Sequence, residues 1–244
     1  MTLLKLERVN KRYGALIVTD EVDLAVPAGQ ALGIIGPNGA GKTTLLNLIG
    51  GDVAPDEGRI LLDGIDITGR TPSQRCHAGI GRSYQIPHPF GGMTVYENVL
   101  VGATFGAGQR EAQAEPRVMD ILARTGLAPH ANRLAGTLPL LDRKRLELAR
   151  ALATCPRLLL LDEIGGGLTE HEVLALVDTI RALRADGVTI LWIEHIVHAL
   201  LAVVDRLVVL DFGRLLADGE PRAVMAMPEV REVYLGIDVD EAVA

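Results

Sequence analysis

Short apolar segments alternate with amphipathic segments along most of the chain. Residues 31–35 (ALGII), 158–162 (LLLLD) and 189–193 (TILWI) are almost continuously apolar, which is typical of strands buried on both faces of a parallel sheet. Residues 42–49 and 170–185 instead show the spacing of amphipathic helices. This alternation predicts an α/β fold with a mainly parallel core sheet.

The ends of the chain have a different pattern, with strands joined by tight turns. Residues 3–35 are mostly strands and turns, and GRILLDGIDIT at 58–68 predicts a hairpin with Asp63-Gly64 in its turn. We therefore expect an antiparallel β subdomain at the N-terminus. RLVVLDFGRLLADG at 206–219 predicts another hairpin, turning at 211–213.

The middle of the chain, residues 87–152, is mostly helical in pattern, with loop residues around 106–109 and 128–132. We interpret it as a helical subdomain inserted into the α/β core. Residues 1–244 are expected to form one domain, with 220–244 as a C-terminal tail.

The composition excludes some functions. The chain has 244 residues and is 48% hydrophobic, which is enough for a sizeable core. Its formal net charge is -7, so a general electrostatic attraction to nucleic acid or anionic lipid is not expected. Cys76 and Cys155 lack the spacing of metal ligands and are interpreted as reduced thiols.

No apolar run approaches the length of about 20 residues that a membrane-spanning helix requires. The first residues, MTLLKLERVNKRYG, carry charges every few positions and do not have the apolar core of a signal peptide. The protein is therefore expected inside the cell, and other subunits would hold it at any membrane where it acts.

One phosphate-binding motif stands between an apolar strand and a helix. GPNGAGKTT at 36–44 matches G-x-x-x-x-G-K-[ST] in the strand-loop-helix context that the motif requires. Glycines allow the backbone to approach phosphates closely, Lys42 would neutralise the β- and γ-phosphates, and Thr43 would ligate Mg²⁺. The residues expected to bind nucleotide here are Gly36, Asn38, Gly39, Ala40, Gly41, Lys42, Thr43 and Thr44.

Two more strands end in residues with catalytic chemistry. Asp162 and Glu163 follow the apolar run at 158–161, and ligands of open α/β sheets bind at such strand ends. Asp162 is predicted to hold the hydration shell of Mg²⁺, and Glu163 to polarise an attacking water as general base. His195 follows ILWIE at 190–194 and could donate to the γ-phosphate; a structural role is the alternative.

These motifs, in this order, resemble the ATP-binding subunit of an ABC transporter over nearly the whole chain. The resemblance implies a P-loop ABC cassette that binds ATP and Mg²⁺. Gln85 in RSYQIP matches the family's Q-loop glutamine, which implies roles in catalysis and, with Thr43 and Asp162, in metal binding. Tyr13 in KRYGAL matches the aromatic that stacks on adenine, although a surface turn aromatic is the alternative.

One motif of the family is degenerate. The usual signature, Leu-Ser-Gly-Gly-Gln before an ARAL-like stretch, aligns with LPLLD at 138–142, so only its first leucine matches. Pro139 has no N–H or hydroxyl, and Leu140 and Leu141 would hinder the close approach that glycines permit. We expect Asp142 to cap its own helix and the segment to serve the ATP site of a partner subunit poorly. The family's proline and D-loop aspartate are also replaced, by Ile164 and Thr169.

The resemblance implies an ATPase subunit that powers import through two separate membrane permease subunits. MTVYENVLVG at 93–102 and the terminal VYLGID are similar to the branch that takes up branched-chain amino acids. Urea, amides and small organic acids remain alternative cargoes. Two alternative functions also remain open: a nucleotide-binding regulatory module and a soluble ABC ATPase.

The expected partners are the permeases, a second, non-identical ATP-binding subunit with an intact signature and, indirectly, an external solute-binding protein; no nucleic acid is expected. The expected location is peripheral, on the cytoplasmic face of the inner membrane.

Overall fold

The structure, a computed structural model, describes residues 1–235. The strands are β1 (Thr2–Tyr13), β2 (Leu16–Pro27), β3 (Ala31–Ile35), β4 (Glu57–Leu62), β5 (Ile65–Asp66), β6 (Ile80–Ser83), β7 (Leu158–Asp162), β8 (Thr189–Ile193), β9 (Arg206–Asp211) and β10 (Arg214–Gly219). The α-helices are α1 (Lys42–Gly50), α2 (Pro72–His77), α3 (Val95–Val101), α4 (Glu111–Arg124), α5 (Leu140–Ala153), α6 (Glu170–Ala185), α7 (Val197–Leu201), α8 (Pro221–Ala226) and α9 (Pro228–Leu235). None of the helices in this part of the chain is long and apolar enough to cross a membrane.

The core sheet has six strands in the order β10-β9-β3-β8-β7-β6. Its strand pairs are parallel except for the β9–β10 hairpin at one edge, which pairs Arg214 with Asp211 across the turn. The prediction of a mainly parallel core sheet is therefore confirmed. Strands β3, β7 and β8 are buried along their whole length, as their continuous apolar sequences predicted.

The core lies on both faces of this sheet. Leu159 and Leu161 of β7 contribute to one buried hydrophobic cluster, which includes residues of α3 to α6. Leu158 and Leu160 contribute to the other, with α1 and the N-terminal sheet. Successive side chains of a strand point to opposite faces, so one apolar strand supplies both clusters.

The second sheet is antiparallel, with the order β2-β1-β4-β5. The hairpin of β4 and β5 pairs Leu62 with Ile65 around the predicted Asp63-Gly64 turn. The predicted antiparallel β region at the N-terminus is thus present.

Helices α3, α4 and α5 run through the segment that was predicted to be helical. A π-helical turn, Gly102–Gly106, extends α3, and a 3-10 turn, Ala128–His130, precedes the connection to α5. Leu146, Leu148, Ala149 and Leu152 form the buried face of α5. The tail contains α8 and α9, and its remaining residues lie outside the described part of the chain.

Besides the tail helices α8 and α9, the elements α2 and β6 were not predicted. Thr71 caps α2 through a capping box with Gln74, and Pro72 occupies the first turn, as is common at helix starts. Strand β6 pairs in parallel with β7 at the edge of the core sheet, with Ile80 opposite Leu158. It carries Arg82 and Ser83 toward the ends of β7 and β3, where the catalytic residues were predicted.

Candidate nucleotide-binding site

The loop between β3 and α1 has a backbone that requires glycine. Gly41 lies immediately before α1 with φ 103°, and a Cβ there would lie 2.3 Å from the carbonyl oxygen of Val18. A Cβ on Gly36 would lie 2.1 Å from the carbonyl oxygen of Leu210. The loop is therefore held tightly against neighbouring strands and leads into the N-terminus of α1, where backbone N–H groups can bind an anion.

Lys42 begins α1 and is 5% exposed. Its Nζ donates to the carbonyl oxygens of Gly36 (2.8 Å) and Pro37 (3.0 Å), so the ammonium lies inside the loop. Burial lowers the pKa of Lys42, whereas the negative charges of Glu163 and Asp162 act in the opposite direction. A bound triphosphate would offer this cation a stronger acceptor than the two carbonyl groups.

A cleft of about 290 Å³ lies in front of this loop. It is lined by Tyr13, Leu16, Val18, residues 38–44 and Glu163. Tyr13 is 49% exposed at the cleft, and the ammonium of Lys11 lies 5.7 Å from its ring centre. The residues predicted to bind the base and the phosphates are thus brought together, while the stacking role of Tyr13 stays a prediction.

The carboxylate of Glu163 is held from two sides. Gln85 Nε2 donates to Glu163 Oε2 at 2.5 Å, and His195 Nε2 lies 2.7 Å from Glu163 Oε1. The Glu163 side chain is 15% exposed. Three of the four residues predicted to act in catalysis, Glu163, Gln85 and His195, therefore form one connected group, and Lys42 lies in the adjacent loop.

The backbone of Glu163 is itself unusual. Its φ is 46°, in the left-handed region that costs a non-glycine residue roughly 1–2 kcal/mol. The Glu163 N–H donates to the carbonyl of Ile193 at 2.9 Å, which ties the end of β7 to β8. Strain at a residue predicted to be the general base is typical of positions where function determines the conformation.

Asp162 at the end of β7 is 4% exposed and faces an arginine that sequence reasoning missed. Arg82 Nη2 lies 3.2 Å from Asp162 Oδ2, and the same guanidinium donates to Asp52 and Asn47. Burial raises the pKa of Asp162, and Arg82 opposes this rise. Arg82 thus favours the charged form that a metal site would need.

The residues fit a hydrated Mg²⁺ ion. Asp162 Oδ1 is buried and has no hydrogen-bond partner within residues 1–235, so one carboxylate oxygen is left for water or a cation. Thr43 is exposed and lines the cleft. Oxygen ligands and retained water are what Mg²⁺ prefers. Gln85, the third predicted ligand, here uses its amide nitrogen for Glu163, and its role toward the metal stays a prediction.

Glu194 is a second residue that sequence reasoning missed. It is 2% exposed, and its carboxylate accepts the N–H of Gly165 at 2.9 Å and that of His195 at 3.0 Å. It therefore orders the chain on both sides of the Glu163–His195 contact. Its place at the end of an apolar strand, next to a candidate histidine, was the signal available in the sequence.

The degenerate signature segment lies at the start of α5. The helix begins at Leu140, with Pro139 before it, and no side chain caps its N-terminus. The prediction that Asp142 caps this helix is therefore wrong, because the helix starts earlier and places Asp142 within its first turn. There Asp142 is 8% exposed and lies 3.4 Å from Arg145 and 3.6 Å from His130.

The rest of this segment partly packs and partly faces outward. Leu138 is 2% exposed, whereas Leu140 is 42% exposed and its Cδ2 would lie 3.2 Å from a Cβ on Gly167. Arg143 donates to the carbonyl oxygens of Leu138 and Gly136. Thr169, which departs from the family pattern, caps α6 in a capping box.

A family model described as ABC transporter matches residues 19–165, which include the phosphate-binding loop, Gln85, the segment before α5 and Glu163. The chain belongs to this family. A second model, described as branched-chain amino acid ATP-binding cassette transporter, matches residues 214–240 of the cassette.

Several relatives match the cassette over nearly its whole length. It is 36% identical to the high-affinity branched-chain amino acid transport ATP-binding protein BraF of Pseudomonas aeruginosa, and 36% identical to LivG of Escherichia coli, which has the same description. Each comparison covers 96% of this chain and 98% of the relative. A lipopolysaccharide export ATP-binding protein, LptB of Acidithiobacillus ferridurans, is 37% identical over 96% of this chain and 97% of its own length.

A solved structure supports the fold of the cassette. The ADP conformation of an ATP-binding cassette from an ABC transporter aligns with a TM-score of 0.89 and 34% identity. The alignment covers 97% of this chain and 100% of that chain.

Proposed function

We propose that this cassette hydrolyses ATP to power the import of branched-chain amino acids or related small solutes through separate membrane permease subunits. The observation that carries the proposal is the position of Glu163, whose carboxylate lies at the edge of the phosphate-binding cleft and is held by Gln85 and His195. A general base must lie within reach of the water that it activates, and this carboxylate lines the cleft in front of the phosphate-binding loop, which supports that role.

The residues divide the chemical work as follows. The loop before α1 and Lys42 bind the phosphates, Thr43 and Asp162 would hold Mg²⁺, and Glu163 orients and deprotonates the attacking water. Bound Mg²⁺ supplies charge stabilisation on the transferred phosphoryl group. His195, in contact with Glu163, positions its carboxylate, and Arg82 pairs with Asp162 and favours its charged form.

The cargo is proposed from the C-terminal part of the chain. Overall identity does not distinguish cargoes, because BraF and the lipopolysaccharide exporter protein LptB are almost equally similar to the cassette. The family model specific to branched-chain amino acid cassettes matches residues 214–240, and it favours amino acids over the other solutes.

We further propose that the cassette works beside a second, non-identical ATP-binding subunit. Its own cleft contains the catalytic residues, whereas the start of α5 offers a proline, two leucines and a buried, paired Asp142 in place of hydrogen-bond donors. Loss of one preorganised donor can reduce a rate by roughly 10²–10³. A partner with an intact signature would complete the cleft described here.

The permeases would contact the helical segment after Gln85. Ile86 and Phe90 are 65% and 46% exposed there, and Arg150 stacks over Phe90 with 4.9 Å between the guanidinium and the ring centre. Exposed apolar side chains next to the catalytic group are suited to a permease contact that changes with the nucleotide state of the cleft. The cassette would thereby lie peripherally on the cytoplasmic face of the inner membrane.

The first test is Mg²⁺-dependent ATP hydrolysis by the purified chain over a range of protein concentrations. The assay is carried out with the chain alone and with the chain plus a companion. The companion is an ATP-binding subunit of the same organism that carries Leu-Ser-Gly-Gly-Gln. We expect activity only with the companion, and loss of that activity in Lys42→Ala. Activity of the chain alone that rises as the square of its concentration would instead show a homodimer with a working 138–142 segment.

A second test separates hydrolysis from regulatory nucleotide binding. Glu163→Gln should reduce turnover by roughly 10²–10⁴, the range of a lost general base, while ATP remains bound. Filter binding of radiolabelled ATP and thin-layer analysis of the bound nucleotide measure both. If the wild-type complex binds ATP and releases no ADP, the cassette is a regulatory module.

A further inference from the structure

One buried cation near the site has no role in the function described above. Lys144 lies on α5, close after the degenerate signature segment, and is 4% exposed. In the described part of the chain it forms no ion pair with a carboxylate, and its hydrogen bonds go to two backbone carbonyls. A buried lysine is costly, so its contacts need an explanation.

The two carbonyls belong to the catalytic pair. Lys144 Nζ lies 3.3 Å from the carbonyl oxygen of Gln85 and 3.4 Å from that of Glu163. These are the residues whose side chains hydrogen-bond to each other at 2.5 Å. The Lys144 ammonium on α5 therefore links the backbone of Gln85 to that of Glu163. The hydrogen bond between the side chains of the same two residues orients the general base.

Two carboxylates act on this buried ammonium. Burial lowers the pKa of Lys144, while the carboxylates of Glu194 and then Glu163 oppose that change. For stability alone, an apolar side chain of similar length would serve as well, because replacing a buried charge by a well-packed apolar group is often neutral or favourable.

We propose that Lys144 is a positioning residue for hydrolysis, through which α5 holds the backbone of Gln85 and Glu163 in the geometry that directs the carboxylate at the attacking water. The inference rests on the proposed hydrolytic function of this cleft. Glu163 has the left-handed φ of 46°, and the hydrogen bond from Lys144 to its carbonyl stabilises that conformation. If the start of α5 faces the nucleotide of a partner in the proposed dimer, a shift of this helix would be passed through Lys144 to the general base of its own subunit.

The test compares Lys144→Met with wild type in the complex with the companion subunit. The methionine keeps most of the length of the side chain but removes its charge and donors. We expect kcat to fall roughly 10- to 100-fold, the scale of a small displacement of a catalytic group. We expect the KM for ATP to stay within about twofold, because the phosphate-binding residues are not touched. The Tm should fall only slightly, because the two lost hydrogen bonds are long, at 3.3 and 3.4 Å, and the desolvation cost of the buried ammonium is lost with them.

Two further variants sharpen the result. Lys144→Arg keeps a cation and its donors and should retain most of kcat. Lys5→Met removes the same charge from β1, where the side chain is 53% exposed and pairs with Glu7, and should leave kcat and KM unchanged.

Several outcomes would overturn the inference. Wild-type kcat in Lys144→Met would show that the contact has no part in hydrolysis. Unfolding of Lys144→Met, or equal loss of kcat and Tm in the Met and Arg variants, would assign Lys144 to stability. If the wild-type complex shows no hydrolysis that depends on Lys42, the proposed function fails first and the inference falls with it.

Discussion

Arg75 should be one of the most important residues for the stability of the nucleotide-binding half of the molecule. It lies on α2, is 1% exposed, and donates to four backbone carbonyls. Two of them, Leu48 and Ile49, belong to the last turn of α1, whose terminal carbonyls have no partner within the helix. The other two, Thr68 and Arg70, lie in the connection before α2.

The magnitude follows from the acceptors that Arg75→Met would leave without a donor. A buried acceptor without a partner costs about 1–3 kcal/mol, so four at the lower end cost about 4 kcal/mol. Burial lowers the pKa of Arg75, which shows that the guanidinium also carries a desolvation cost, and its removal returns part of this energy. We expect a net loss of about 2–4 kcal/mol in the free energy of unfolding.

Urea denaturation followed by circular dichroism measures this loss. With an m-value near 3 kcal/mol/M, the midpoint should fall by about 1 M. Arg59→Met is the control, because that arginine is 65% exposed in an ion pair with Glu7, and such pairs contribute about 0–1 kcal/mol. Equal midpoints for Arg75→Met and wild type would refute the reasoning that these carbonyls depend on Arg75.

Two further predictions concern the phosphate loop and a buried acid. Gly41→Ala places a Cβ 2.3 Å from the carbonyl oxygen of Val18, at a residue whose φ is 103°. The resulting strain of about 1–3 kcal/mol should weaken the binding of a fluorescent ATP analogue roughly tenfold or more. The control Gly64→Ala, in the β4–β5 turn, should leave this binding unchanged. Burial raises the pKa of Glu147 despite its pairing with Arg150, so its stabilising contribution is present below the ordinary value of 4.5 and is lost as pH rises through the raised pKa. Glu147→Gln should therefore raise the urea midpoint at about pH 8 and match wild type at about pH 4, and the opposite order would contradict the assignment.

Local patterns were sufficient for much of the fold and for the motif residues. The strand at 158–162 could be predicted because a short, continuous apolar run is typical of a strand that is buried on both faces. The carboxylates that follow it were then expected at the edge of the sheet. The phosphate loop was predicted for a similar reason, since its glycines and Lys42 have a function only in one strand-loop-helix context. Sequence alone therefore placed Glu163 and Lys42 in one cleft.

The contacts that hold the catalytic group could not be predicted in the same way. Arg82 reaches Asp162 across 80 positions of sequence, and Lys144 reaches Gln85 across 59. Neither residue type has a local pattern that specifies a distant partner. The start of α5 was predicted too late, with Asp142 as its cap, whereas Pro139, with its extended ψ of 167°, lies directly before the first helical residue.

The arrangement explains how a cassette can lose its signature and keep its own hydrolytic site. Leu138 and Asp142 make their contacts within the helical segment, with Arg143, His130 and Arg145, and Leu140 faces outward near Gly167. Within residues 1–235 none of these contacts involves the phosphate loop, so substitutions at 138–142 would leave Lys42 and Asp162 in place, and in the proposed dimer they would change only the surface near the partner's nucleotide. The link from α5 to the catalytic base comes later on the helix, at Lys144. The altered start of the helix and the contact of Lys144 with the catalytic base are therefore compatible, as the proposed dimer requires, in which this chain hydrolyses ATP in its own cleft and contributes little to the other.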